Sequence, residues 1–183
     1  MDKELNRQIV HAIAGLILLA ILLLCGRDNL IYFSFLLLLV GSILIHYHTF
    51  EKNKFYEFMY NKLERPSAPF AGWAPAWYLV GIILIATFLK DPNQIAASIW
   101  ILAIGDSIST VIGRKGGHKL PYNKKKTFEG TAAFILFSLA SYVFVGKIAI
   151  PISIAAGLAE GLPTRIDDNV LIPIVLIVLF GMA

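Results

Sequence analysis

Apolar residues run along the chain in long blocks separated by short polar stretches, and the block lengths predict an all-α, polytopic membrane bundle. The first block, Ile9 to Gly26, follows a polar opening. Arg7, His11 and Gly15 recur every four residues there, with Glu4 on the same face, so this stripe should face protein rather than lipid. Asn29 to about His46 predicts a second span. Thr49 to Arg65 then changes character: Phe55, Met59 and Leu63 repeat at i, i+4 and i+8, with charges between them. That pattern predicts an amphipathic helix on the interface, or a cytosolic extension of the second span. Pro66 and Pro69 break the chain. Phe70 to Leu89, with Trp73, Trp77 and Tyr78 placed as an aromatic belt, predicts a third span. Asn93 to Gly113 predicts the fourth and Phe128 to Val145 the fifth. Ile148 to Ala159 and Val170 to Ala183 are short for a crossing, which takes ~20 residues. These last two of seven expected spans should be tilted or broken, and irregular backbone at depth belongs beside a cavity.

Composition agrees with that pattern. Of 183 residues, 57% are hydrophobic and only 15% charged, so the chain reads as one membrane-embedded unit, 1–183, with no separate soluble domain. Its mean hydropathy is +0.72. With the N-terminus inside, thirteen of the sixteen Lys and Arg fall on the cytosolic side and only Arg27, Lys90 and Lys147 outside. The positive-inside rule therefore predicts a cytosolic N-terminus and an outer C-terminus. It also accounts for the net charge of +4 without a nucleic acid partner. The single cysteine, Cys25, excludes an intrachain disulfide. The first apolar block has no A-x-A end, so no cleavable signal peptide is expected.

Candidate chemistry gathers in the stretch GDSISTVIGRKGGHKLPYNKKKTFEG, Gly105 to Gly130. Asp106 sits inside an apolar block, where a carboxylate costs ~2.5–3.5 kcal/mol and so calls for a partner or a role. Ser109, Thr110 and Gly113 continue its face as a small, polar stripe. The loop of about 114–127 carries Arg114, Lys115, Lys119, Lys124, Lys125 and Lys126, which could serve topology, anionic lipid heads or a polyphosphate. Gly113, Gly116 and Gly117 allow close backbone approach, and Thr127 can cap a helix whose first amides attract phosphate. Glu129 in that first turn either complements the helix dipole or has a metal or proton-transfer role. A second polar cluster, EGLPTRIDDN, offers Glu160, Asp167 and Asp168 as hard oxygen ligands for Mg²⁺, although Asp168 and Asn169 could equally cap the last helix. His11 and Arg7 complete the candidates; a histidine at that place is as readily a packed residue as a functional one. No Walker A pattern, zinc-type Cys/His spacing or Ser/His/Asp motif is present.

Gly105-Asp106-Ser107, Ile112-Gly113-Arg114, Lys126-Thr127-Phe128-Glu129-Gly130, Glu160, and Asp168-Asn169-Val170 with Pro173 resemble the CTP-dependent polyprenol kinase family. That family includes dolichol kinases, phytol kinases and CTP-dependent diacylglycerol kinases. The opening residues Glu4, Arg7 and His11 are similar as well, so the resemblance covers nearly the whole chain. Thr127 stands where the family most often has Ser, which keeps the hydroxyl. The resemblance implies Mg²⁺-dependent transfer of the γ-phosphoryl of CTP to a membrane lipid alcohol, at an active site facing the cytosol. It implies that Asp106 is the central acid, that Lys126 and Glu129 belong to the nucleotide site, and that Asp168-Asn169 form a late acidic site. On this basis Arg114, Lys119, Lys124 and Lys126 would hold the triphosphate, with Thr127 and Gly130 beside them. Asp106 and Asp168 would hold the metal, and either Asp106 or Glu129 would accept the proton of the alcohol.

Two other readings remain at this level. The KTFEG stretch and its preceding aspartate also resemble phosphatidate cytidylyltransferases, which attack the α-phosphorus of CTP, but the chain lacks their longer C-terminal signature. A small ion-coupled transporter would explain the intramembrane acids and broken helices but not the cationic, glycine-containing loop.

Overall fold

The computed structural model describes residues 3–50, 68 and 72–182. Among these the chain is helical, and the only extended pairing is an isolated bridge between Lys119 and Thr127. Among the described residues, Lys3–Cys25, Arg27–Tyr47 and Pro92–Gly113 are helical segments long and apolar enough to cross a membrane, the apolar run Phe128–Glu160 is longer but interrupted by turns, and shorter apolar helices stand at Trp73–Phe88 and Asp168–Gly181. The molecule is a helical membrane bundle, as the block pattern predicts. Most of the amphipathic stretch expected at Thr49–Arg65 lies outside the described residues.

Helix α1 (Lys3–Cys25) starts earlier than the apolar block, because its polar first turns extend the stripe that packs inward at Gln8 and Gly15. Gly26, at φ 84°, terminates it, and α2 (Arg27–Phe50) begins at once. Arg27 donates through Nε to the Ala86 carbonyl (2.6 Å) and through a terminal nitrogen to Thr87 (3.1 Å). It thereby supplies a cation to the otherwise orphaned carbonyls at the end of α3 (Trp73–Phe88). Asp91 caps α4 (Pro92–Trp100), accepting from the Asn93 amide at 2.9 Å, and Pro92 fits the first helical position, where no amide donor is needed.

The fourth apolar block is not one regular helix. After α4 the chain makes a π turn over Ile101–Gly105 and resumes as α5 (Asp106–Gly113). The turn lies in the most buried part of the bundle: Ile101, Leu102, Ala103 and Gly105 are all buried. Period-3.6 patterning cannot register it, since the apolar residues continue unbroken. Its consequence is local: it resets the helical phase immediately before Asp106.

The block from Phe128 to Glu160 doubles back. Helix α6 (Phe128–Ser138) gives way to a 3₁₀ turn at Leu139–Ser141, the short α7 (Tyr142–Val145), a second 3₁₀ turn at Gly146–Ile148, and α8 (Ala149–Glu160). Gly146 has φ 61° and ψ −142°, a conformation closed to residues with side chains, so the reversal depends on it. The return helix packs on the outgoing one, with Gly157 against Ile135 and Phe134. The expected fifth and sixth spans are therefore both short, and α9 (Asp168–Gly181) follows as the third short segment. Gly81 of α3 lies directly against the Asn169 carbonyl and Pro173, which brings the start of α9 into the centre of the bundle.

Candidate active site

Two helix ends cross where the polar stripe meets the loop. A methyl added to Gly130 would lie 3.0 Å from the Gly113 Cα and 3.0 Å from the Ser109 carbonyl oxygen, so the backbones of α5 and α6 touch at a pair of glycines. Thr127 is the N-cap of α6 and accepts from the Gly130 amide at 3.1 Å. Its hydroxyl also donates to the Gly113 carbonyl at 3.2 Å, tying the end of α5 to the start of α6. The cap expected at Thr127 is thus also a strut between two helices.

The cationic loop is folded back as a narrow hairpin. The Leu120 amide donates to the Lys126 carbonyl at 3.0 Å, and the Phe128 amide to the His118 carbonyl at 2.9 Å. A turn closes through the Lys126 amide and the Asn123 carbonyl at 3.1 Å, which puts Lys124 and Lys125 at its corners. Leu120 is buried, and the Asn123 amide group donates to the carbonyls of Gly161 (3.1 Å) and Leu162 (3.3 Å). The hairpin is therefore pinned to the end of α8 and directs Lys126 inward.

Lys126 meets the acids there. Its Nζ bonds Glu160 Oε1 and lies 2.9 Å from Asp168 Oδ2. Asp106, Glu160 and Asp168 each offer a carboxylate oxygen, and the three oxygens lie within 4.8 Å of one another. Glu160 is 2% exposed and also accepts from Ser109 Oγ at 3.2 Å. Burial works against the charge of Lys126, but Asp168, Glu160 and Asp106 outweigh it and raise the pKa of the ammonium. Lys126 bonds two of the three carboxylates, and the cluster is hard-oxygen in character. Octahedral Mg²⁺ at ~2.1 Å spaces its ligand oxygens by roughly 3–4.2 Å, close to the spread seen here. The donor set fits that ion.

The start of α1 closes the other side. His11 Nε2 is 3.3 Å from the Leu102 carbonyl of the π turn and 3.9 Å from Asp106 Oδ2. Its ring packs on Tyr78 with centroids 4.2 Å apart. Ser107 donates to the Gln8 carbonyl at 3.2 Å, and Glu4 pairs with Arg7 and accepts from Gln8 Nε2 at 2.9 Å. The stripe read from four-residue spacing thus packs against the segment that carries Asp106.

Between these elements lies a cavity of about 860 Å³. It is lined by Asp106, Glu160, Asp167, Asp168 and Asn169, by Arg114, Lys119, Lys126, Thr127 and Gly130, and by Arg7 and His11. The structure brings all of these sequence candidates together. Two others are not among its lining residues, Lys124 at the hairpin corner and Glu129. The Glu129 carboxylate turns to the loop, accepting from the amides of Gly117 (3.0 Å) and His118 (3.1 Å) and meeting His118 Nδ1 at 2.7 Å. Asp167, not Asp168, caps α9, accepting from the Asn169 amide at 3.0 Å and leaving Asp168 to Lys126. The lining also includes Lys125, Asn123, Gln8, Trp73 and Ala74. Lys125 stood in the same cation run, whereas nothing in the local pattern marks Asn123 or Gln8.

No family model matches the chain, and no solved structure matches it. The chain is 27% identical to an uncharacterized protein of Methanocaldococcus jannaschii, over 94% of its own length and 90% of that protein. It is 28% identical to a probable chloroplastic phytol kinase of Glycine max, over 94% of its length and 61% of that kinase. It is 36% identical to a chloroplastic farnesol kinase of Arabidopsis thaliana, over 54% of its length and 38% of that kinase. The chain therefore spans less than two thirds of the length of either plant kinase. These relatives are consistent with the CTP-dependent polyprenol kinase family that the motif residues resemble.

Proposed function

We propose that the protein is a prenyl-alcohol kinase, which transfers the γ-phosphoryl group of CTP to the hydroxyl of a membrane isoprenoid alcohol with Mg²⁺ as cofactor. The observation that carries this reading is the meeting of Asp106, Glu160 and Asp168 with Lys126, beneath a hairpin of cations, in one cavity. Phosphoryl transfer needs positioning and charge neutralisation more than covalent chemistry, and this donor set offers both.

The two ends of the cavity differ in charge, and that difference separates the substrates. Arg114, Lys119, Lys125 and Lys126 lie at the hairpin end, and this end suits a triphosphate. Lys124 would act from the rim, through the field of the loop. At the α1 end Glu4 pairs with Arg7; Gln8, Trp73, Ala74 and Asn169 are neutral, and the lining acid Asp167 is bonded to Asn169. That end suits an uncharged hydroxyl on an apolar chain entering from the bilayer. Asp106, Glu160 and Asp168 between them would hold Mg²⁺, which would supply positive charge to offset that of the phosphates.

We assign the alcohol proton to Asp106 rather than to Glu129, since Asp106 lines the cavity and Glu129 does not. In the step, the alcohol oxygen forms a bond to the γ-phosphorus as the bond from that phosphorus to the β-bridging oxygen breaks. CDP leaves, and the proton passes to Asp106. Phytol and farnesol kinases among the relatives favour short isoprenoid alcohols over dolichol as acceptors. The excess of Lys and Arg on the loop side favours a cytosolic active site.

The reading is tested with protein in proteoliposomes, Mg²⁺, a panel of nucleoside triphosphates, and farnesol, phytol, geranylgeraniol and dolichol. The expected products are a prenyl monophosphate and CDP, with CTP preferred. A panel in which no alcohol is phosphorylated by any nucleotide would refute the proposal.

A further inference from the structure

The glutamate in the first turn of α6 has no part in the cavity, yet it is among the most fully engaged side chains of the loop. Glu129 Oε1 accepts from the Gly117 amide at 3.0 Å and from the His118 amide at 3.1 Å, and meets His118 Nδ1 at 2.7 Å. Oε2 lies so close to Gly116 that a methyl there would come within 2.7 Å of it. A carboxylate gathering successive backbone amides is a strong local organiser, because charge-assisted bonds are short and directional. Those amides belong to the turn between the end of α5 and the first leg of the hairpin. The next bonds along that leg are the ones that set Lys126: the His118 carbonyl receives the Phe128 amide, and the Leu120 amide reaches the Lys126 carbonyl.

We infer that Glu129 is a positioning residue, which clamps the Gly116–His118 turn and thereby fixes the hairpin that presents Lys119 and Lys126 to the nucleotide phosphates. It acts through the backbone and does not exchange a proton with the substrate. The clamp also explains how an acidic residue sits at the N-terminus of a helix beside a triphosphate site: its charge is taken up by the amides of Gly117 and His118, which do not line the cavity. Gly116 follows from the same arrangement, since a side chain there would collide with the carboxylate. This inference rests on the proposed nucleotide site, and its test separates the two.

The informative variant is Glu129→Gln, whose amide oxygen still accepts from both backbone N–H groups but is not a base at neutral pH. Turnover should fall no more than roughly threefold, the acid limb of the pH–rate profile should stay in place, and KM for the nucleotide should change little. Glu129→Ala removes both acceptors, so KM for the nucleotide should rise roughly tenfold or more while KM for the alcohol stays within about twofold. A Glu129→Gln variant that loses ~10³-fold in turnover with nucleotide KM unchanged would overturn the clamp and make Glu129 the base. An alanine variant that raises the alcohol KM instead would overturn the link between this turn and the nucleotide end. Wild-type protein that phosphorylates no alcohol refutes the kinase reading before either variant is compared.

Discussion

Replacing Asp106 by Asn is expected to lower turnover by at least ~10³-fold while leaving the bundle folded. The substitution keeps size and shape, so packing beside the π turn is conserved. What it removes is the negative charge and the basicity of an acid that lines the cavity beside Glu160 and Asp168. A positioned general base contributes ~10²–10⁴-fold, and Asp106 also supplies one of three metal-facing oxygens, so the two losses compound. The amide would also weaken the approach of His11, 3.9 Å away. The check is kcat against circular dichroism and gel-filtration behaviour of the purified variant. Turnover within tenfold of wild type would remove Asp106 from both roles.

Lys126→Met should produce the largest change in stability, and one that depends on metal. The ammonium is the bonded partner of both Glu160 and Asp168, and its side chain is only 24% exposed. Removing one member of a largely buried ionic cluster costs ~3–5 kcal/mol, because the remaining charges keep their desolvation penalty without compensation. A thermal midpoint well below that of wild type is therefore expected without divalent cations. Mg²⁺ should raise the midpoint of the variant more than that of wild type, since the acids no longer share their charge with an ammonium. The raised pKa of Lys126 sets the pH dependence. Its contribution is complete below the unfolded lysine value of ~10.4 and is lost only as pH rises through the higher folded value. Deprotonation of Lys126 itself should accordingly contribute nothing to the gap between wild type and variant across the neutral range. Nucleotide KM should also rise in the variant. An unchanged midpoint, or a smaller response to Mg²⁺ than wild type, would contradict the cluster as described.

Asp106 was legible in the sequence because a carboxylate inside an apolar block is too costly to be incidental. Thr127 was legible because a hydroxyl before the first apolar turn of a helix satisfies amides that nothing local otherwise would. The stripe of Glu4, Arg7 and His11 was legible from its period, and it does face protein. Other features depend on tertiary contacts that no period carries. The π turn at Ile101–Gly105 leaves the apolar pattern intact, so its position is silent in the chain. Glu160 ranks as one acid among several until α8 doubles back and delivers it to Lys126. Lys124 and Lys125 look alike in a run of cations, and the turn closed by Asn123 decides which of them lines the cavity. Glu129 lies three residues from Lys126 in sequence, yet the first turn of α6 rotates its carboxylate onto the loop backbone. The cap of α9 falls one residue earlier than the acidic pair suggests, and that shift frees Asp168 for the cluster.

The most direct measurement supplies CTP labelled at either the γ- or the α-phosphorus, with Mg²⁺, a short isoprenoid alcohol and phosphatidate, and asks which label reaches which lipid. Label from the γ position alone on the alcohol, with CDP released, is the predicted result. Label from the α position on phosphatidate, with pyrophosphate released, would contradict it and make the protein a cytidylyltransferase. Label on neither lipid, with ion-coupled solute flux in the absence of nucleotide, would contradict it in favour of a transporter.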